Sequence, residues 1–405
     1  MKTLLKTNKT FYDRIVMLIL ATLMAMTSLS VDIYLPAMPQ MQHDLSGNIE
    51  LTITGFLIGF SLAQLVWGPI SDCIGRRKPL FIGIILFIIG SVGCALSQHI
   101  EQIIFWRVFQ AFGACTGPMI ARAIVRDLYQ KKKAAQVLST LMIVMAIAPI
   151  AGPLIGGQLI QISTWHSIFW LLTLIGVVIL LSIFLLPETH FPEKRVNLQI
   201  KNIFATYYKL LSHRQFMRYT LCVTFFYVAV YTFIVDSPFV YITFYGIGEQ
   251  YYGWLFAINI VGIMTLSVLN RYLVTQYSLN FLLRSSTMIA MAALVILVLL
   301  FNWHIGGVYS IITMLFIFFS MNGIIAACAT AAALDLVPEI AGSASALIGS
   351  LQYGSGIIST LLLVWFSNDS PWVMIIIMTI FMFMSALMML IPLNRQHHRL
   401  NVSQL

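Results

Sequence analysis

Twelve apolar stretches, each long enough to cross a bilayer, constrain the fold of this chain more than any other feature. A spanning helix needs about 20 mainly apolar residues. That window locates the stretches at 14–36, 50–70, 79–97, 102–125, 136–160, 166–187, 216–242, 251–271, 282–301, 307–333, 343–366 and 371–392. Only 9% of the residues are charged, against about 25% in soluble domains. We therefore predict an all-α membrane protein, and we exclude a soluble enzyme and a nucleic-acid-binding protein.

The stretches fall into two groups of six around the longest polar segment, 188–215, which begins "PETHFPEKR". We predict two pseudo-symmetric six-helix bundles, 1–187 and 216–405, joined by this linker. The repeat is visible in "VDIYLP" at 31–36 and "VDSPFV" at 235–240, since each lies near the outer end of the first span of its half. Related halves are typical of transporters. Apolar residues at helical spacing in 200–211 predict a linker helix, either on the membrane surface or packed against the bundle.

Lysine and arginine alternate along the connections and predict the orientation. The N-terminal tail, the segments 76–78, 126–133, 194–218 and 271–284, and the C-terminal tail are basic, whereas the intervening loops contain neither residue. Cytoplasmic loops carry the basic excess, so both termini are expected in the cytoplasm. The net charge of +9 then reflects topology and anionic lipid. The first apolar run is too long for a cleaved signal peptide, and we expect it to remain as a span.

Several short motifs resemble those of one transporter family. "GPISDCIGRRKPL" (68–80), "RVFQAFGA" (107–114) and "APIAGPLIGGQL" (148–159) are similar to motifs of the major facilitator superfamily, and the last marks its proton-driven exporters. "VDIYLPAMP", "RDLY" and "AGSASALIGSLQ" resemble the bicyclomycin and chloramphenicol resistance (Bcr/CflA) branch. The resemblance covers essentially the whole chain. It implies a twelve-helix drug:proton antiporter of the bacterial inner membrane that works by alternating access.

Two carboxylates lie well inside the spans, Asp32 and Asp236. A charge at the bilayer centre costs about 2.5–3.5 kcal/mol on insertion scales, and burial with nearby charge lets a carboxyl gain or lose a proton. We predict Asp32 as the leading proton carrier and Asp236 as a second carrier or substrate contact. The alternatives are water at a helix end for Asp32 and, for Asp236, a helix opened by Pro238. The resemblance implies that Arg107 couples proton and substrate binding; a static structural pair is the alternative.

Aromatic and polar side chains in the spans predict a substrate pocket. Phe225, Thr232 or Phe233, and Asp236 share one face of a helix, and aromatic rings beside a carboxylate suit flat or cationic molecules. The predicted pocket residues are Asp32, Tyr34, Gln110, Phe225, Thr232, Phe233, Asp236, Asn322 and Gln352.

The resemblance implies two further sites. One is an inner gate, which in the family latches the two halves together. Its residues here are Asp72, Gly75, Arg76, Arg77, Arg122, Arg126 and Asp127. The other is an antiporter seam at Gly152, Pro153, Gly156 and Gly157, with Gly253 and Gly262 of the eighth span opposite.

Three functions compete at this point. The first is proton-coupled antiport that exports small organic compounds, including antibiotics. The second is a dedicated carrier of a metabolite such as a nucleoside or siderophore, and the third is an intramembrane enzyme or a non-transporting receptor. The chain lacks G-x-x-x-x-G-K-[ST] and H-E-x-x-H, and no histidine falls in the core of a span. We expect no cofactor, no metal and no more than a monomer, with substrate, protons and bilayer as partners.

Overall fold

The structure is a computed structural model that describes residues 2–191, 193, 200–366 and 370–390. Within these ranges, the side chains of 2–14, 131, 132, 135 and 200–202 are not described. Lys194 and Arg195 of the linker and the basic C-terminal tail therefore lie outside the described residues. The described part of the chain is helical and contains no strand.

Sixteen α-helices form the described part of the chain. In chain order they are α1 (Lys2–Asp32), α2 (Met38–Asp44), α3 (Leu51–Ile74), α4 (Arg77–Ala95), α5 (Ile100–Ala114), α6 (Thr116–Leu128), α7 (Lys131–Ile162), α8 (His166–Ile183), α9 (Ile200–Ser212), α10 (Arg214–Pro238), α11 (Glu249–Gln276), α12 (Leu279–Asn302), α13 (Gly307–Ser320), α14 (Asn322–Asp335), α15 (Ala341–Phe366) and α16 (Trp372–Leu390). They supply 12 helices long and apolar enough to cross a membrane. Three spans each join two α-helices: α1 with α2, α5 with α6, and α13 with α14. The predicted fold class is confirmed.

The first span is longer than predicted, and this moves Asp32. A short 3-10 turn, Leu35–Ala37, joins α1 to α2, so that the span runs over Ile15–Asp44. Proline is tolerated in the first turn of a helix, where its missing N–H is not needed, and Pro36 and Pro39 occupy such positions here. Asp32 therefore lies near the middle of the span rather than at its end.

The two halves touch mainly through two pairs of helices. Helix α3 of the first half packs against α15 of the second, and α7 packs against α11. Across the first pair, the Thr54 hydroxyl donates a hydrogen bond to the Thr360 hydroxyl. These threonines lie toward the end of the bundle opposite the basic connections, which we call the opposite end. The basic connections, including 76–78, define the basic end.

Glycines let α7 approach α1 very closely. A Cβ atom on Gly152 would lie 3.2 Å from the Cβ of Asp32, and one on Gly156 would collide with the Ile33 carbonyl oxygen. Small residues allow such close backbone contact between helices in a membrane. Two of the four predicted seam positions therefore face α1.

At the contact between α7 and α11, two of the predicted seam glycines meet the opposite helix. Gly157 lies against the Glu249 carbonyl oxygen, and Gly253 lies against Leu154. Gly262 instead faces Ser320 and Phe316, because α11 also packs against α13. The α7–α11 contact is present, but Gly262 does not belong to it.

The linker contains the helix α9, which packs against α10 and α15. The Tyr207 hydroxyl donates a hydrogen bond to the Leu65 carbonyl oxygen at 3.2 Å. Phe204 and Tyr208 remain 70% and 74% exposed. The helix therefore packs on the bundle and also presents aromatic side chains outward, which combines features of both predicted arrangements.

The α1–α7 contact predicts the effect of adding a methyl group. We expect Gly156→Ala to lower the melting temperature in detergent, since the new Cβ would meet backbone that cannot move freely. Overpacking of this kind typically costs 1–3 kcal/mol. Gly68→Ala is the matched control, because no atom lies within 4 Å of a Cβ at that position. Equal melting temperatures for the two variants would contradict this account of the packing.

Candidate functional site

Asp32 is a buried carboxylate without a partner. Its side chain lies beside Gly152 of α7, and the residue is only 6% exposed. Among the described residues, no hydrogen bond or ion pair reaches its carboxylate oxygens. This burial contradicts the alternative of an aspartate in water at a helix end.

Three tyrosines of the second half lie near Asp32. Tyr231 of α10, Tyr252 of α11 and Tyr353 of α15 each lie within electrostatic range of its carboxylate. The Tyr353 ring centroid is 6.2 Å from that of Tyr231 and 4.0 Å from that of Phe60 in the first half. We call this contact region between the two halves, with Asp32, Phe60 and the three tyrosines, the central cleft.

The sequence prediction did not include Tyr252 or Tyr353. Tyr252 lies in "EQYYGW" at the start of an apolar span, and Tyr353 directly follows the predicted Gln352. A tyrosine inside an apolar span needs a partner for its hydroxyl, and this requirement was the available signal. The Tyr252 hydroxyl meets the Ser237 hydroxyl at 2.7 Å.

Arg107 is fully buried inside the first half. Its Nη1 donates to the Ser30 carbonyl oxygen at 2.9 Å and to Gln110 Oε1 at 2.7 Å. Its Cζ lies 4.3 Å from the ring centroid of Tyr34 and 4.6 Å from that of Phe56. The guanidinium is thus sandwiched between two aromatic faces, an arrangement that attracts a cation. Its Nε and Nη2 have no hydrogen-bond partner in the described structure.

Arg107 lies at the depth of Asp32 but faces the other side of α1. Successive helical residues are rotated by 100°, so Ser30, which Arg107 binds, and Asp32 point in nearly opposite directions. Within the described residues the two charged groups form no ion pair. The coupling role predicted for Arg107 would therefore act through α1 rather than through direct contact.

Two predicted pocket residues belong to the surroundings of Arg107. The Tyr34 hydroxyl lies 3.1 Å from the Thr52 hydroxyl, and Gln110 Nε2 donates to the Ser91 hydroxyl at 2.8 Å. Both residues are fully buried within the first half. In this arrangement of the helices they do not reach the central cleft.

The face of α10 toward the first half differs from the predicted one. Phe225 packs against Phe381 of α16, and Phe233 packs against Phe319 of α13. Thr232 is fully buried and donates to the carbonyl of its own helix. Tyr231 faces Tyr353 instead. Any two helical residues three or four apart share a face. Sequence spacing therefore could not tell which face of α10 meets the first half, and the prediction that Phe225, Thr232 and Phe233 line the pocket is wrong for this structure.

Asp236 lies in a separate pocket at the opposite end. The pocket has a volume of about 450 Å³ and is lined by both halves, including Glu50 and Gln42 from the first half and Thr243 from the second. Burial raises the pKa of Glu50. Among the described residues, no lysine or arginine lines the pocket. Asp236 is thus part of an acidic outer pocket and does not join Asp32 in the central cleft.

The two remaining predicted pocket residues flank the tyrosines. Asn322 is half-buried beside Tyr227, and its Oδ1 has no hydrogen-bond partner in the described structure. Gln352 is half-buried next to Tyr353.

A charged cluster occupies the basic end of the first half. The buried Arg76 donates from Nη1 to Asp72 Oδ1 at 2.7 Å and from Nε to Asp127 Oδ2 at 3.1 Å. Gly75 has a φ of +98° at the end of α3, a conformation that favours glycine. The structure thus brings four of the seven predicted gate residues together.

The side chains of the other three gate residues lie outside this cluster. Arg77 takes part only through its backbone N–H, Arg126 is exposed, and Arg122 donates from Nε to the Pro118 carbonyl oxygen of its own helix. No ion pair crosses between the halves among the described residues. The predicted latch between the two halves is therefore not formed in this structure.

Glu188, which the sequence prediction did not include, completes the cluster. Its carboxylate accepts hydrogen bonds from the backbone N–H groups of Arg76 at 2.9 Å and Arg77 at 3.2 Å, at the N-terminus of α4, where the helix dipole favours negative charge. Burial raises the pKa of Glu188, but the backbone donors outweigh burial and hold the pKa below its ordinary value. The sequence feature that could have identified Glu188 is its position directly after Pro187, where the sixth predicted span ends.

Comparison with known proteins agrees with this architecture. The family model described as Major Facilitator Superfamily matches residues 18–360. An uncharacterized MFS-type transporter of Bacillus subtilis is 36% identical, and a bicyclomycin resistance protein homolog of Haemophilus influenzae is 30% identical; each match covers 85% of this chain and 87% of the relative. Multidrug resistance protein D of Escherichia coli is 25% identical over the same shares.

Solved structures show the same fold. A D-xylose–proton symporter matches with a TM-score of 0.72 at 13% identity, covering 94% of this chain and 97% of its own. The nucleoside transporter NupG matches with a TM-score of 0.75 at 12% identity, covering 92% and 98%. At these identities the likeness concerns the fold alone.

The contact of Glu188 with α4 predicts a pH-dependent stability. We expect Glu188→Gln to lower the free energy of unfolding at pH 7 by about 0.3–1 kcal/mol, the usual effect of a charge at a helix terminus. A carboxylate with a lowered pKa stabilises the fold above its ordinary pKa, 4.5, and loses this effect as the pH falls through the lowered value. The difference between wild type and variant should therefore shrink below about pH 4.5.

Thermal unfolding in detergent at pH 7 and at pH 4 measures this difference. Glu193→Gln, at an exposed glutamate outside the described α-helices, is the control and should show no pH-dependent difference. A wild-type advantage over Glu188→Gln that is constant with pH would contradict the proposed charge effect.

Proposed function

Because the chain belongs to the Major Facilitator Superfamily, we propose that it exports small organic compounds in exchange for protons. The protein is a multi-pass membrane transporter of small molecules. Relatives named for bicyclomycin resistance and for multidrug resistance support organic compounds, including antibiotics, as the cargo. The basic end faces the cytoplasm of the inner membrane, with both termini on that side, following the positive-inside rule.

The observation that carries this proposal is the unpartnered Asp32 carboxylate at the contact between the halves. A fixed salt bridge would hold the group ionised, whereas a carboxylate without a partner changes protonation when its surroundings change. Asp32 belongs to the first half and its tyrosine neighbours belong to the second. Any movement of one half against the other therefore changes what surrounds this carboxylate.

Exchange follows from competition between substrate and proton at one site. Ionised Asp32 favours a cationic or hydrogen-bond-donating substrate, and protonation weakens that binding and releases the substrate outside. Proton entry down the membrane potential provides about 2.3 kcal/mol per 100 mV. No cofactor is needed, and one chain contains both halves, so we propose that a monomer suffices.

We propose that this arrangement of the helices is a state closed toward the outside. The Thr54–Thr360 hydrogen bond joins the halves toward the opposite end. At the basic end, the cluster of Arg76 stays within the first half. We propose that this cluster engages the second half when the transporter opens outward, which completes the alternating-access cycle.

A dedicated metabolite carrier of the same family remains the second candidate. A transport panel distinguishes the two: cells with and without the protein are compared for accumulation of structurally unrelated antibiotics and of labelled nucleosides and other metabolites. Reduced accumulation of several unrelated compounds supports the export proposal. Specific transport of a single metabolite contradicts it.

Loss of the Asp32 charge tests proton coupling. We expect Asp32→Asn to abolish transport driven by an imposed pH difference in proteoliposomes, because an amide cannot carry the proton. A pH-sensitive dye inside the vesicles follows proton movement while a labelled compound identified by the panel follows transport. Asp335→Asn, at an exposed position near the basic end, is the matched control and should transport normally. Full pH-driven transport by Asp32→Asn would remove this residue from the mechanism.

Loss of the Asp236 charge separates the outer pocket from coupling. Because Asp236 lies apart from the central cleft, we expect Asp236→Asn to change which compounds compete for transport more than it changes the proton-to-substrate ratio. Competition profiles measured in the same vesicles check this expectation. A profile identical to that of the wild type would argue against a pocket role.

A further inference from the structure

A surface pocket of about 310 Å³ lies at the basic end of the second half, where α9, α10 and α16 meet. Its lining contains two arginines, Arg214 and Arg218, and apolar side chains that include Leu211, Leu221 and Met388. Among the described residues, no carboxylate lines this pocket. The pocket therefore combines positive charge with apolar surface, and the central cleft, the outer pocket and the gate cluster use none of its residues.

The carbonyl end of α16 holds Arg218 beside a further arginine. Arg218 donates from Nε to the Met388 carbonyl oxygen at 2.7 Å and from Nη2 to the Met389 carbonyl oxygen at 2.9 Å. Arg284 donates from Nε to the same Met389 oxygen at 3.0 Å. Within the described part of the chain, neither arginine forms an ion pair with a carboxylate. Two guanidinium groups therefore share one uncharged acceptor and have no counter-charge.

These arginines have hydrogen-bond donors left for a ligand. A guanidinium carries five N–H groups in a fixed geometry. In contacts between described residues, Arg218 uses two of its five and Arg284 uses one, whereas the exposed Arg214 side chain uses none. Arginine binds phosphate oxygens with paired, charge-assisted hydrogen bonds. The arrangement therefore favours an anion with several oxygen atoms, such as a phosphate group.

Apolar side chains extend the pocket away from these charges. Arg214 begins the seventh span, and Leu221 lies seven residues further into it, about 10 Å along the helix axis. On α9, Phe204, Tyr208 and Leu211 share one face and are 70%, 74% and 48% exposed. Leu211 also lines the pocket. Because aromatic side chains favour the membrane–water interface, the pocket lies where a lipid headgroup and its acyl chains meet.

We propose that this pocket binds an anionic phospholipid of the leaflet at the basic end. The lipid phosphate accepts hydrogen bonds from Arg214, Arg218 and Arg284, and an acyl chain follows Leu221 and Met388. Basic pockets between spanning helices on the cytoplasmic side suit anionic lipid headgroups, whereas a free phosphate would leave the apolar lining unused. The bound lipid contacts α9, α10 and α16 together, and it thereby joins the linker helix to the second half.

Native mass spectrometry of the purified protein in detergent tests this proposal, because it counts bound lipids and gives the Kd of the first one. The probes are dioleoylphosphatidylglycerol, which is anionic, and dioleoylphosphatidylcholine, which has the same acyl chains but no net charge. We expect the wild-type protein to bind phosphatidylglycerol more tightly. Arg214→Gln should raise the Kd of phosphatidylglycerol about fivefold, as for one basic residue at an anionic membrane, and that of phosphatidylcholine less than about twofold.

Two further variants complete the experiment. Arg271→Gln removes an exposed arginine of α11 at the same end and should leave both Kd values unchanged, whereas Arg214→Lys keeps the charge and should retain most of the affinity. Equal wild-type Kd values for the two lipids, or equal weakening by Arg214→Gln and Arg271→Gln, would overturn the proposal. Displacement of phosphatidylglycerol by excess inorganic phosphate would also overturn it. Since no cargo or gradient is present, the result is independent of the proposed transport function.

Discussion

The structure depends on one unfavourable interaction: a carboxylate held in an apolar membrane interior without a compensating charge. The extension of the first span through Pro36 and Pro39 places Asp32 near the middle of that span. Gly152 lets α7 pass directly beside it, and tyrosines of the second half lie within electrostatic range of it. An isolated buried charge is costly unless the group is neutralised or paired. This cost makes the position sensitive to a proton, to a substrate and to the separation of the halves.

The basic end shows the opposite arrangement. There Arg76 binds two carboxylates, and Glu188 accepts from the backbone at the start of α4. Such a network, partly shielded from water, is worth more than isolated surface pairs. It joins the ends of α3, α4 and α6 where, in the proposed cycle, the halves would separate. The paired charges at the basic end and the unpaired carboxylate at the contact between the halves together favour the proposed movement of one half against the other.

The sequence predicted those features that depend on local composition. Apolar length identified the twelve spans, and the order of motifs placed Asp72, Arg76 and Asp127 at one end, where they do meet. Features that depend on contacts between distant segments were missed. Arg107 and Asp32 share a depth but lie on different sides of α1, and Phe225 and Phe233 pack within their own half. Helical periodicity gives the relative angle of two residues, but it does not say which neighbour each one faces.

The central claim concerns the protonation of one side chain, and infrared difference spectroscopy observes it directly. The spectrum of purified protein is recorded before and after a transported compound is added, and the Asp32 band is assigned by its absence in a variant lacking that carboxyl. The account predicts that the band of the protonated acid disappears when substrate binds and returns when substrate is removed. An Asp32 carboxyl that keeps one ionisation state in both spectra would contradict it.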